Sequence, residues 1–248
     1  MNNFDFLGIK AQWHFLEWFG LTHPFFRLTA HTITSTWVVF LFIIATIVLF
    51  RLVMNDKQSL LRYAIIWSIK GLMDLTSQTL GYFHYGHFSF ISALFIFIMF
   101  CNLMGMIPIL EEPTTDLNTT LALGVVAFIY INTYAMRVHG PKEYFLEFFR
   151  PFFIMFPLNV IGRLAKVISL SFRLFGNILG GAVITKIFMN TFGHLPLAWY
   201  LYGIPVVGVY LSVFITLFFC IFDGLIQAFV FAMLSLTYIS TEATAEEH

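Results

Sequence analysis

Residues 157–181 read PLNVIGRLAKVISLSFRLFGNILGG. The run is long and apolar enough to cross a bilayer, yet it contains Arg163, Lys166 and Arg173. A charge near the membrane centre costs roughly 2.5–3.5 kcal/mol on an insertion scale. At 100° per residue, Asn159, Arg163, Lys166, Arg173 and Asn177 fall within an arc of about 80°. One face of the predicted helix is therefore a polar stripe, and Leu, Ile and Phe fill the remainder. Such a stripe must meet water or a protein partner.

The surrounding chain has the composition of a membrane protein. Of 248 residues, 59% are hydrophobic, 10% are charged and 32 are Phe. A soluble domain carries about 25% charged residues, so lipid is the expected solvent. The formal net charge is zero, which gives no footprint for nucleic acid. Cys101 and Cys220 lie in separate apolar runs, a pattern that predicts neither a disulfide nor a metal site, and no cofactor is expected.

The predicted fold is all-α: five membrane-crossing helices plus a surface amphipathic helix, with the last two crossings long and tilted. All of 1–248 forms a single membrane domain. Residues 1–32 form an outer-side lead-in, with Asp5, Lys10, His14 and Glu17 among aromatics and no continuous apolar stretch of a cleavable signal. The first span covers 33–50. Residues 59–80 are polar enough to lie in the interface. A helical hairpin covers 88–136 and turns at Glu111, Glu112, Pro113 and Asp116. The apolar regions 151–190 and 197–240 each exceed the roughly 20 residues of a perpendicular span, so tilting or a break near Pro205 is expected. Arg51, Lys57, Arg62 and Lys70 occupy one connecting segment and Arg137, Lys142 and Arg150 another. Basic loops face the cytoplasm, or the matrix of an organelle, which places the N-terminus outside.

Arg163 and Lys166 lie nearest the basic loop, where they either snorkel to the interface or extend a polar path. Arg173 lies too far from that loop to snorkel, which leaves an internal salt bridge or a functional charge. The last region has its own line of Ser212, Thr216, Asp223 and Gln227, again within about 80°. Ser and Thr alone would serve as helix–helix glue. With Asp223 and Gln227 they read as one wall of an ion path, Asp223 acting as a relay or as the partner of a basic residue.

Ser169-Leu170-Ser171-Phe172-Arg173-Leu174-Phe175-Gly176-Asn177 resembles the signature of the F-type ATP synthase a subunit, the stator ion-channel subunit of the membrane sector. Gln227-Ala228-Phe229-Val230-Phe231 and Tyr238-Ile239 are similar to its C-terminal motif, and Asp116-Leu117-Asn118-Thr119-Thr120 fits as well. The resemblance covers residues 90–248. It implies that Arg173 is the essential stator charge, facing a rotating ring of carboxylate-bearing c subunits between two offset half-channels. It further implies that Gln227 orients Arg173, that Asn177 and Asn159 line the path, and that Gly176, Gly180 and Gly181 make room for the ring, the alternative for these glycines being ordinary packing between the chain's own helices. The implied partners are c-ring subunits, peripheral-stalk b subunits and the rest of the synthase; short loops and the absence of a presequence favour a bacterial plasma membrane, or alternatively an organelle inner membrane. The ion is expected to be a proton, although selectivity depends largely on the ring and sodium stays open. Many relatives carry a carboxylate nine residues after the Arg, and His or Glu seven before the Gln; here these positions are Ala182 and Cys220. Asp223 is the expected replacement. A secondary transporter or channel that uses Arg173 for an anionic substrate is the rival reading, although the paired repeats of such proteins are not visible. A purely structural subunit would leave both polar stripes without purpose.

Overall fold

The computed structural model describes residues 12–13, 28–55, 60–107, 112–149, 152–193 and 206–244. Helices α1 (Ala30–Asn55), α2 (Leu60–Leu80), α3 (Tyr85–Leu103), α4 (Leu117–His139), α5 (Pro141–Glu147), α6 (Phe156–Gly193), α7 (Val206–Leu217) and α8 (Gly224–Thr244) make up nearly all of it. A two-residue antiparallel pair, β1 (Gln12–Trp13) and β2 (Leu28–Thr29), precedes α1. Five helices are long and apolar enough to cross a membrane: α1, α3, α4, α6 and the last helix. The chain is an all-α, multi-pass membrane protein. Trp37, Leu41, Ile44 and Leu52 of α1 are exposed, an apolar surface that suits lipid or another subunit rather than water.

The core forms where α3 packs along α8 and α4 packs along α6. Leu94 and Ile98, Ala127, Leu170 and Leu174, and Ala228 and Phe231 form one buried cluster drawn from those four helices. Leu80, Ile91, Ile131, Ala232, Leu236 and Ile239 extend it. Lipid supplies no hydrophobic drive between helices, so close approach through small residues matters. A Cβ at Gly124 of α4 would collide with Ser171 Oγ of α6, and one at Gly224 would lie 2.8 Å from Asn102 Cβ. Polar ties supplement the packing. Asn102 Nδ2 donates to the Gly224 carbonyl at 3.1 Å, and Thr114 Oγ1 donates to Asn102 Oδ1 at 3.3 Å. Asp116 caps α4 by accepting from the Asn118 amide at 3.0 Å.

The structure differs from the sequence expectation in several places. The segment 137–150 is not simply a loop. Helix α4 continues through Arg137 to His139, Gly140 turns the chain at φ 79°, and α5 starts at Pro141. A left-handed glycine followed by an N-terminal proline is a helix-end, helix-start signal. Helix α6 spans 38 residues, about 57 Å at 1.5 Å per residue. That far exceeds the ~30 Å hydrocarbon thickness and requires tilt or protrusion. The last helix is not uniformly α: Phe218–Asp223 forms a π-helical turn between α7 and α8. Most of the lead-in 1–32, the turn at 194–200, the region of Pro205 and the end at 245–248 lie outside the described residues, as does the side chain of Ser212.

Candidate functional site

Helix α6 buries one side and exposes the other. Val167, Leu170, Ser171, Leu174 and Gly181 face the bundle; Gly162, Ala165, Ser169, Phe172, Arg173 and Gly176 face outward. The 80° stripe is therefore split. Leu170, at 4% exposure, lies inside the arc, between the directions of Asn159 and Arg163, yet it belongs to the core. The cause is the α4–α6 crossing at Gly124, which draws the edge from Val167 to Leu174 inward. Leu170 is therefore not available to a partner, and the outward face of α6 centres on Phe172, Arg173 and Gly176.

Arg173 is exposed, and among the described residues its guanidinium makes no hydrogen bond or ion pair. Among the described residues, the internal salt bridge considered for it is not formed. Gly176 and Gly180 have nothing within 4 Å of a virtual Cβ, so they leave open space beside Arg173. At Gly181 the alternative, packing within the chain, holds. Its Cβ would lie 3.2 Å from the Phe219 ring, so its small size serves packing against this chain's own last helix.

Two cavities reach α6 from opposite ends of the bundle. One, of about 620 Å3, is bordered by Glu112 and Thr115 of the α3–α4 turn, Asn177, Ala182 and Lys186 of α6, and Thr216, Cys220 and Asp223 of the last helix. The other, of about 580 Å3, is bordered by Glu147, Asn159, Gly162, Arg163, Lys166 and Glu242. Arg173 borders neither; it lies between them along α6, about 10 Å of helix rise from Lys166 and about 6 Å from Asn177.

The second cavity holds an ion-pair network. Arg163 Nη2 lies 2.8 Å from Glu147 Oε2 and 3.8 Å from Glu242 Oε2, and Lys166 Nζ lies 4.0 Å from Glu242 Oε1. The Arg163 guanidinium also sits over the Tyr144 and Phe148 rings, at 4.7 and 4.5 Å, a cation–π arrangement. Asn159 Nδ2 donates to the Phe148 carbonyl at 2.9 Å. Arg163 is thus held by partners of its own rather than snorkelling freely. Burial pushes the nearby Tyr144 hydroxyl above its usual pKa.

The line of polar residues on the last helix is also divided. Thr216 and Asp223 share the first cavity with Asn177, whereas Gln227 is buried at 6% exposure and does not border it. The Gln227 Nε2 has no hydrogen-bond partner among the described residues. A π-helical turn adds a residue to the helical register and rotates the turns after it, which separates Gln227 from Thr216. Asp223 is partly buried and has no ion-pair partner among the described residues.

Sequence reasoning missed Glu112, Glu147 and Glu242. Glu112 reads from sequence only as part of a turn. Its carboxylate reaches inward, and Cys220 Sγ donates to its Oε1 at 3.8 Å. Burial pushes the Glu112 carboxyl up to about 7, and the bond from Cys220 opposes that rise. The available signal for Glu242 was the pair of basic residues, Arg163 and Lys166, on the start of α6.

Similarity to known proteins accords with this arrangement. The family described as ATP synthase A chain matches residues 33–240. ATP synthase subunit a of Moorella thermoacetica is 32% identical over 210 residues, covering 84% of this chain and 88% of that protein. The protein named ATP synthase subunit a, sodium ion specific, of Propionigenium modestum is 30% identical over 226 residues, covering 84% and 72% respectively. ATP synthase subunit a of Legionella pneumophila strain Philadelphia 1 is 29% identical over 232 residues, covering 92% and 94%. With an arginine set in an apolar helix between two polar cavities, and a family match along most of its length, this chain belongs to the ATP synthase A chain family.

Proposed function

We propose that this chain is the stator through which protons enter and leave a rotating c-ring, coupling proton flow to ATP synthesis. The carrying observation is the placement of exposed Arg173, unpaired among the described residues, between two cavities that open toward opposite ends of the bundle. The cavities would serve as half-channels. That bordered by Asp223, Asn177 and Thr216 opens on the side away from the basic loops; that bordered by Asn159, Arg163, Lys166 and Glu242 opens on the side of those loops. A ring carboxylate would exchange its proton with one, pass Arg173 ionised, and exchange with the other. A guanidinium stays charged and presents forked donors that suit a carboxylate. Its charge repels a proton trying to cross directly between the cavities. The open space at Gly176 and Gly180 would admit a ring helix. The b subunits of the peripheral stalk would hold the stator against rotation, and the setting would be a bacterial plasma membrane.

The test is proton uptake by liposomes containing the membrane sector, with this chain, c-ring and stalk together. Asp223→Asn preserves shape but removes a proton-exchanging group, and uptake should slow markedly with subunit content unchanged. Loss of assembly instead would make Asp223 a structural residue. Uptake of sodium in place of protons would replace the proton by sodium, and no ring-dependent ion flux would refute the stator reading.

A further inference from the structure

The turn between α3 and α4 contains an acidic side chain that its local structure does not use. Glu112 precedes the short 3-10 turn Pro113–Thr115, yet its side chain makes no capping hydrogen bond there. Only its backbone carbonyl is engaged, accepting from the Thr115 amide at 3.1 Å and from Thr115 Oγ1 at 2.6 Å. The turn is anchored from below: Thr114 bonds Asn102, and Asn102 bonds the Gly224 carbonyl on the last helix. This anchoring fixes where the Glu112 side chain enters the bundle.

The carboxylate occupies a slot made by a missing side chain. A Cβ at Gly105 would collide with Glu112 Oε1, and would lie 2.8 Å from its Cδ and 2.9 Å from Cys220 Sγ. Glycine at 105 thus lets the carboxylate reach the π-helical turn, where Cys220 donates to it. Among the described residues Glu112 has no ion-pair partner, and none of them supplies a fixed cation to hold it permanently ionised. It borders the same cavity as Asp223, Asn177 and Thr216. Cys220 precedes Asp223 by less than one helical turn, on the side of the Glu112 turn, which puts Glu112 nearer the outer mouth and Asp223 deeper.

We propose that Glu112 is the proton-exchanging carboxylate of the outer cavity, the first relay between outer water and Asp223, with Gly105 and Cys220 positioning it. This rests on the stator reading above. In synthesis the Glu112 carboxylate accepts a proton from outer-side water and becomes a neutral acid. It then donates that proton through cavity water toward Asp223 and a ring carboxylate, and is left ionised for the next. A carboxyl raised to about 7 by burial holds and releases protons readily near neutral pH. The titratable or charged groups around it are Cys220, Cys101, Asp223 and Lys186.

The whole synthase in liposomes provides the test, read as proton-driven ATP synthesis and passive proton uptake across a range of pH. Glu112→Gln should lower both by at least roughly ten-fold with full assembly, and should remove an inflection near neutral pH. Gly105→Ala retains the carboxylate but displaces it, and should reproduce most of the loss. Adding Ala182→Glu to Glu112→Gln returns a carboxylate to the same cavity from an exposed α6 position and should restore part of the flux. Wild-type flux in Glu112→Gln would overturn the proposal. So would a complex that fails to assemble with Glu112→Gln while Gly105→Ala conducts normally. Coupled synthesis that survives without Arg173 would refute the stator reading, and a Glu112-dependent flux seen alongside it would still stand as a separate result.

Discussion

Arg173→Ala should abolish proton-driven ATP synthesis in a complex that still assembles. The guanidinium is exposed and has no partner within the described chain, so its removal breaks no internal contact. Substitutions of that kind shift stability by about 0.5 kcal/mol or less. Its function would be the fixed positive charge between the cavities, and no neighbouring cation can replace that charge. Arg163 is engaged by Glu147 and Glu242 some ten residues away, and Lys166 pairs with Glu242. Arg173→Lys keeps a charge but loses the planar fork, so synthesis should also fail or nearly fail. The checks are ATP synthesis under an imposed proton gradient and subunit content after detergent extraction. Substantial coupled synthesis in the alanine variant would remove Arg173 from the mechanism.

Gly180→Trp should stop turnover without unfolding the chain. A side chain at 180 enters open space in this subunit, and so does one at 176. An indole there meets only what lies beside α6, which in the proposed assembly is a moving ring helix. ATP synthesis and ATP-driven proton pumping should both fall to a small fraction of wild type, while the melting temperature of the isolated subunit in detergent is unchanged. Gly181→Trp makes the contrast. Its Cβ already lies 3.2 Å from Phe219, so it should lower the melting temperature by overpacking. If Gly180→Trp leaves both activities intact, the outward face of α6 does not meet the ring.

Much of the fold was legible in the sequence, and so was the singular position of Arg173, for physical reasons. A charge inside a long apolar run has few stable placements, which is why Arg173 stood out. Charge-free runs with basic loops on one side likewise delimit the spans. Periodicity at 100° per residue failed where packing or register departs from an isolated helix. Leu170 lies within the polar arc of α6, but the close approach at Gly124 turns it into the core. Gln227 aligns with Thr216 on an ideal helix, but the π-helical turn at Phe218–Asp223 rotates the register. Glu112 was hidden by its neighbours: Glu111, Glu112 and Pro113 together read as a turn. The slot that admits its carboxylate depends on Gly105 and on Cys220, 108 residues away. Glu242 and Glu147 read as end and loop charges, and only the tertiary structure brings them to Arg163.

The central claim is that two water-filled paths reach α6 from opposite sides and stop short of Arg173. Its most direct test is the side-specific reactivity of single cysteines. Ala182→Cys and Gly162→Cys place exposed thiols on the borders of the two cavities, each introduced with Cys101→Ser and Cys220→Ser because Cys220 borders the first cavity itself. A membrane-impermeant maleimide applied to oriented vesicles containing the assembled synthase should label Ala182→Cys only from the side away from the basic loops. Gly162→Cys should be labelled only from the side of those loops. Labelling of both positions from one side, or of either position equally from both, would contradict the account.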